Sequence, residues 1–285
     1  MIKKVIISLL VITGIIICVN CDRKPVKKTQ PDTPFASTPH KIVKEMLKLA
    51  DTGKDDIVYD LGSGDGRIVI SAARDFGAKG VGIELDGELI KESIENAKKE
   101  GVEKKVRFIQ EDFFEVDIKD ATVVTLYLLP EINELLKDKL LKELRPGARV
   151  VSHMWGIGDW EPDKILNAYD KTLYMWFVPD CANGDWLVVA KGRYASKNYN
   201  LKIKQRYQKI KAVLSDDKKT YEFSHANLYG NEINLYGSYA YKGKVTILSF
   251  EGFIRGDVIE GKAYIKEPDS LYPEEFMWKA RRVRF

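Results

Sequence analysis

Two acids and three glycines carry the chemistry that is legible in this chain. The stretch Asp60-Leu61-Gly62-Ser63-Gly64-Asp65-Gly66 alternates glycine with small polar residues. Glycine reaches positive φ without cost and has no Cβ to hold a ligand away from backbone N–H groups. Glu84 follows at the end of the apolar run Gly80-Val81-Gly82-Ile83, and a carboxylate in such a place accepts from both hydroxyls of a ribose. Asp60 can hold the amides of the turn or, through water, an ammonium. These residues need a scaffold that brings a turn and an acid together. The run Ile57-Val58-Tyr59 ahead of the glycines predicts a strand, and Arg67–Ala73 behind them a helix, the nucleotide-binding corner of a doubly wound α/β sheet.

The rest of the first two-thirds supplies that sheet. Thr38-Pro39 opens a helix with Ile42, Val43, Met46, Leu47 and Ala50 on one stripe. Strands are expected at 57–61, 80–84, 106–110, 122–127 and 148–152, with helices closing at Gly77, Gly101 and Pro146-Gly147. This alternation predicts a mostly parallel, seven-stranded sheet with helices on both faces. Leu173–Val178 and Trp186–Ala190 read as its closing antiparallel hairpin. Beyond about residue 195 the helical period disappears. Short runs rich in Tyr, Ile, Val and Phe alternate with turns, which predicts a small all-β antiparallel meander of six to eight strands, a barrel or sandwich. The expected organisation is 1–21 signal peptide or anchor, 22–36 linker, 37–194 α/β domain and 195–285 β accessory domain.

Dinucleotide enzymes favour G-x-G-x-x-G, so the alternating glycines disfavour an oxidoreductase. D-x-G-x-G-x-G instead resembles motif I of the seven-stranded S-adenosylmethionine-dependent methyltransferases. Residues 35–163 further resemble the non-SET protein-lysine methyltransferases, among them the membrane-anchored mitochondrial enzymes that modify ATP synthase c subunit and the adenine nucleotide translocase. The matching stretches are Thr38-Pro39, Asp60–Gly66, Gly82–Glu84, Glu111–Phe114, Ala121–Pro130 and Arg149–His153. The resemblance implies S-adenosylmethionine held by Asp60, Gly62, Ser63, Gly64, Gly66, Glu84, Asp112 and Phe113. Asp112 would accept from the adenine amino group and Phe113 offer a ring face, against a plain reading of Asp112 as a turn cap and Phe113 as core. It places Tyr127 and Pro130 where substrate is met, with His153 and Trp155 as further rim candidates. Leu126-Tyr127-Leu128-Leu129-Pro130 lacks the Asn/Asp-Pro-Pro-aromatic pattern of base and glutamine methylators, so a protein lysine is the expected acceptor. Two alternatives stay open: a catalytically silent, membrane-tethered binding module, and methyl transfer to a small molecule.

Composition adds exclusions. The 285 residues are 45% hydrophobic and 31% charged with net charge +4, too little to imply nucleic acid, and no partner of that kind is expected. Three cysteines and three histidines show no metal spacing, so no metal is expected, and His40, His153 and Cys181 read first as packing or surface residues. Residues 195–285 hold 17 Lys/Arg against 11 Asp/Glu, a solvated or docking surface. Met1-Ile2-Lys3-Lys4 precedes an apolar run from Val5 to Val19, and Cys18-Val19-Asn20-Cys21 loosely resembles a lipobox. Membrane attachment by a signal anchor or by lipidation at Cys21 is expected. The cluster Arg23, Lys24, Lys27 and Lys28 favours a catalytic part facing the cytoplasm.

Overall fold

Strand β1 (Ile57–Leu61) lies at the centre of the first sheet, between β2 (Lys79–Glu84) and β4 (Val123–Leu126), parallel to both. The computed structural model describes residues 37–191, 196–241 and 244–284. The expected signal peptide or anchor, Cys21 and the linker lie outside the described residues. Among the described residues no helix is long and apolar enough to cross a membrane. With β3 (Val106–Gln110), β5 (Arg149–His153), β6 (Lys164–Ala168) and β7 (Lys171–Phe177), the sheet order is β3-β2-β1-β4-β5-β7-β6. The first five strands run parallel, and β7 is antiparallel to β5 and β6.

Helices cover both faces because the strands are apolar on both. Tyr59, Leu61, Val124, Leu126 and Val150 point to one side and pack with Leu136 and Leu140 of α4 (Pro130–Glu143). Val58, Val123 and Val151 point to the other, against α1 (His40–Leu49) and α2 (Arg67–Phe76). Ile42, Val43, Met46 and Leu47 of α1 are fully buried, in agreement with the stripe read from their spacing. Helix α3 (Gly87–Lys99) is capped by Asp86, whose side chain accepts from Glu88 N at 2.8 Å.

The expected closing hairpin is replaced. Lys171–Phe177 pairs with Lys164–Ala168, while β8 (Gly184–Lys191) joins the second sheet. A run such as Trp186–Val189 fits either role by its alternation, and packing decides: Trp186 and Val188 are fully buried in the second core. That sheet continues through β9 (Ser196–Arg206), β10 (Lys209–Ser215), β11 (Thr220–Glu222), β12 (His225–Tyr229), β13 (Glu232–Tyr241), β14 (Lys244–Arg255), β15 (Val258–Lys266) and β16 (Glu274–Arg282). β8 pairs with both β16 and β9, and β9 pairs with β10, so eight strands close into a meander barrel with β11 as a short addition. Leu201, Leu235, Phe250 and Trp278 fill its interior. At Gly252 and Gly261 the strands β14 and β15 approach so closely that a Cβ on Gly261 would lie 1.9 Å from the Glu251 carbonyl oxygen. The indole of Trp278 lies over this spot and donates to the carbonyls of Glu251 and Lys262 at 2.9 and 3.1 Å.

The barrel meets the first sheet through a polar contact beside α4. Asp159 accepts from Lys137 Nζ at 2.5 Å, Arg206 at 2.6 Å and Tyr207 Oη at 2.7 Å, which together hold its carboxyl far below the ordinary range. Trp160, 1% exposed, packs near Trp176 and donates through Nε1 to Gln208 at 2.8 Å.

Candidate active site

The carboxyl ends of β1, β2, β4 and β5 bring the glycine turn, Glu84, Tyr127 and His153 to one end of the sheet, while Asp112 and Phe113 follow β3. Gly62, Gly64 and Gly66 adopt φ of 82°, 52° and 79°, values that side-chain-bearing residues avoid, so the alternation seen in the sequence is required by the turn. Gly62 N and Ser63 N both donate to the Ile83 carbonyl at 2.9 Å, which pins the turn to β2. Leu128 presses on Gly62 from above, where a Cβ would come within 3.1 Å of its side chain. The hydroxyl of Ser63 is buried and has no hydrogen-bond partner among the described residues.

Glu84 takes over the work the sequence offered to Asp60. Its Oε2 accepts from Gly64 N at 3.0 Å, and its Oε1 from Leu85 N and Asp86 N at 2.8 and 3.1 Å. The carboxylate thereby braces the glycine turn while remaining half-buried at the mouth. Asp60 holds none of the turn's amides. It is 3% exposed and accepts from the hydroxyl of Thr125, its register partner on β4, at 2.8 Å. Burial pushes its pKa up to about 7; the Thr125 hydrogen bond opposes this, and the charges of Glu84 and Asp65 add to it. Asp65 is neutralised by Arg67, with Nε–Oδ1 of 2.8 Å and Nη2–Oδ2 of 2.5 Å, and is held below the usual carboxylate range.

A buried carboxyl at the bottom of a mouth, bordered by a second acid, is a site for a cation. The set fits S-adenosylmethionine: glycines that put no Cβ in a ligand's way, a buried Ser63 hydroxyl without a partner among the described residues, and negative charge for a sulfonium and an ammonium.

Asp112 follows β3 and accepts from Phe114 N at 2.8 Å, so it also caps its own turn. Phe113 is 3% exposed and belongs to the core, while the neighbouring half-buried Phe114 lies 4.9 Å from it between ring centroids. Tyr127 is half-buried just beyond β4, and Pro130 starts α4. The Tyr127 ring lies over His153 at 4.1 Å, tilted by 32°. His153 is fully buried; its pKa is lowered to about 4, chiefly by burial and next by the charge of Lys171, so its imidazole is neutral. Nδ1 lies 3.2 Å from the Thr38 hydroxyl, and Nε2 has no partner among the described residues. Trp155, 41% exposed, stands past β5, and Leu85 and Leu129 are exposed beyond β2 and β4. Among the described residues no group of His, Cys, Asp and Glu is placed to hold a metal. Sequence reasoning missed Thr125 and Arg67. The order of strands could have pointed to Thr125, because β4 follows β1 in a sheet that reverses at β1.

A sheet of order β3-β2-β1-β4-β5-β7-β6 with β7 antiparallel, a glycine turn after β1 and an acid ending β2 is the architecture of the seven-stranded methyltransferase class. Residues 60–164 match the model of the ANTKMT methyltransferase domain. A protein-lysine N-methyltransferase of Saccharolobus islandicus (strain REY15A) is 48% identical over 153 residues, 52% of this chain and 95% of that protein. The adenine nucleotide translocase lysine N-methyltransferase of Mus musculus is 34% identical over 133 residues, 47% of this chain and 58% of that protein. A crystal structure described as an RNA methyltransferase from Salinibacter ruber in complex with S-adenosyl-L-homocysteine is 51% identical with a TM-score of 0.51. It covers 51% of this chain and 95% of that one. The chain belongs with the Saccharolobus enzyme to the family of S-adenosylmethionine-dependent protein-lysine N-methyltransferases.

Proposed function

We propose that this chain transfers a methyl group from S-adenosylmethionine to a lysine amine of a protein. The observation that carries the reading is the buried Asp60 beside Glu84, two carboxyls at one mouth with Thr125 and backbone amides as partners. S-adenosylmethionine supplies a methyl carbon on a positively charged sulfur that departs as a thioether. Glu84 already accepts from three amides, two at Oε1 and one at Oε2, which leaves room at Oε2 for a ribose hydroxyl, and a hydrogen bond to a charged acceptor contributes about 1.5–3 kcal/mol. The turn Gly62, Ser63, Gly64 and Gly66, whose amides already donate within the protein, would leave room for the amino-acid portion, and Asp60 would balance its ammonium. Asp112 would accept from the adenine amino group, and Phe113 anchors the turn that carries Asp112.

In-line displacement depends mainly on positioning. Tyr127 and Pro130 line the approach of the acceptor. Lysine has a reference pKa of about 10.4 and must arrive neutral. The ring of Tyr127, backed by the buried, neutral His153, gives it a wall without charge, where desolvation favours the free amine. Farther out, the exposed Asp86, Glu111 and Glu131 follow β2, β3 and β4. They attract a basic polypeptide and repel a phosphate backbone, which favours protein over RNA. The names of the related lysine methyltransferases support the same choice.

The test is incubation with radiolabelled cofactor and membrane and soluble extracts, followed by protease or ribonuclease treatment and mass spectrometry. Protease-sensitive label on methyl-lysine is expected; ribonuclease-sensitive label would overturn the acceptor, and absence of cofactor binding the whole reading. The run Val5–Val19 and the lysines after it extend the proposal to membrane attachment with the mouth towards the cytoplasm. Cleavage beyond Cys21 by protease added outside intact cells would contradict that side.

A further inference from the structure

Thr38 is 3% exposed, and no step above uses it. Its carbonyl accepts from Arg67 Nη1 at 3.1 Å, and Arg67 is clamped on Asp65 inside the glycine turn. Its hydroxyl lies 3.2 Å from Nδ1 of His153, the buried ring on which Tyr127 stacks. One residue therefore touches the cofactor side through its backbone and the acceptor side through its side chain. A β-branched residue is stiff at χ1, so fixing the backbone of Thr38 also fixes where its hydroxyl points. A buried imidazole takes its tautomer from the hydrogen bond at one nitrogen, and here that nitrogen faces Thr38. Helix α1 does not need this bond for anchorage, since Ile42, Val43, Met46 and Leu47 are already fully buried.

We propose that Thr38 is a positioning residue for methyl transfer, one that sets His153 and Tyr127 in register with the glycine turn. The inference rests on the methyltransferase reading of the site. It makes the acceptor wall sensitive to what fills the turn, by way of Asp65, Arg67 and Thr38.

Thr38→Val keeps the carbonyl and the shape but removes the hydroxyl; Thr38→Ser keeps both polar groups. Histidine-labelled protein has three histidines, and His153→Gln assigns the ring of interest by NMR. Adding S-adenosylhomocysteine is expected to shift the His153 ring signals in the unaltered protein and in Thr38→Ser. In Thr38→Val the shift is lost, although calorimetry shows affinity within about threefold. At saturating labelled cofactor, incorporation into the combined extracts is expected to fall by about tenfold or more in Thr38→Val and to recover in Thr38→Ser, since small displacements cost this much. A preserved His153 shift in Thr38→Val overturns the proposal, as does a loss of cofactor affinity equal to the loss of transfer. Should Thr38→Val not fold, the unaltered protein decides: ligand bound with His153 unmoved refutes the link. Failure to bind S-adenosylhomocysteine at all would instead sink the assignment of the site.

Discussion

Replacing Asp60 by Asn tests whether a buried acid serves a cationic cofactor. In the free protein the Asp60 pKa is raised to about 7, so the group is half protonated near neutrality. A cation prefers the ionised form, and binding must therefore pull the proton off. From pH 8 to pH 6 the ionised fraction falls about tenfold, and affinity for S-adenosylmethionine should fall by the same factor, about 1.4 kcal/mol. Asp60→Asn should show no such slope and bind about 10- to 100-fold more weakly at pH 8, the value of one charge-assisted interaction. Stability should move the other way. The folded-state pKa lies above the unfolded value of 3.8, so the folded protein holds the proton more tightly and loses stability as pH rises through about 7. Asn carries no charge to bury, and the unliganded variant should melt higher than the parent at pH 8 and much like it at pH 4. Calorimetric titration across pH 6–8, with melting curves on the same samples, measures both. Equal affinity in the variant, or a flat profile in the parent, would refute the role of Asp60 as the counter-charge.

Glu84→Gln leaves the shape but weakens the bonds to Gly64, Leu85 and Asp86 as well as those to a ribose. Cofactor affinity should drop by about 10- to 100-fold in calorimetry. Tyr127→Ala uncovers His153 on the acceptor side; methyl incorporation should fall by about tenfold or more while cofactor affinity stays within a few-fold. Gly261→Ala places a Cβ against the Glu251 carbonyl, and denaturant melts should show a loss of about 3 kcal/mol or more.

The strand–turn–helix corner was readable because the chemistry of glycine leaves little choice at Gly62, Gly64 and Gly66, and Glu84 follows at a telling distance. Partner choice between strands was harder. Trp186–Val189 alternates as any half-buried strand does, and Lys164–Ala168 is an exposed edge with too little apolar patterning to announce itself. Trp186–Val189 finds its partner β16 far away in sequence, which periodicity does not carry, whereas Lys164–Ala168 pairs locally across a Tyr169-Asp170 turn whose positive φ values no glycine announces. Within the site the same limit applies. The acid at position 60 could be picked out, but its hydroxyl partner Thr125 is set by sheet register. The spacing of Glu84 marks it as a ribose ligand, and only the folded turn reveals that it also braces Gly64.

The five tryptophans are divided in a way that an optical experiment can use. Trp160 and Trp176 sit in the first core, Trp186 and Trp278 in the barrel, all at 1% exposure or less, while Trp155 stands at the rim with 41% of its surface free. Iodide or acrylamide should quench one emitter out of five. An acceptor seated at the mouth would shield that red-shifted fraction and leave the blue emission unchanged, so intrinsic fluorescence offers a label-free titration for a polypeptide whose identity is still to be found.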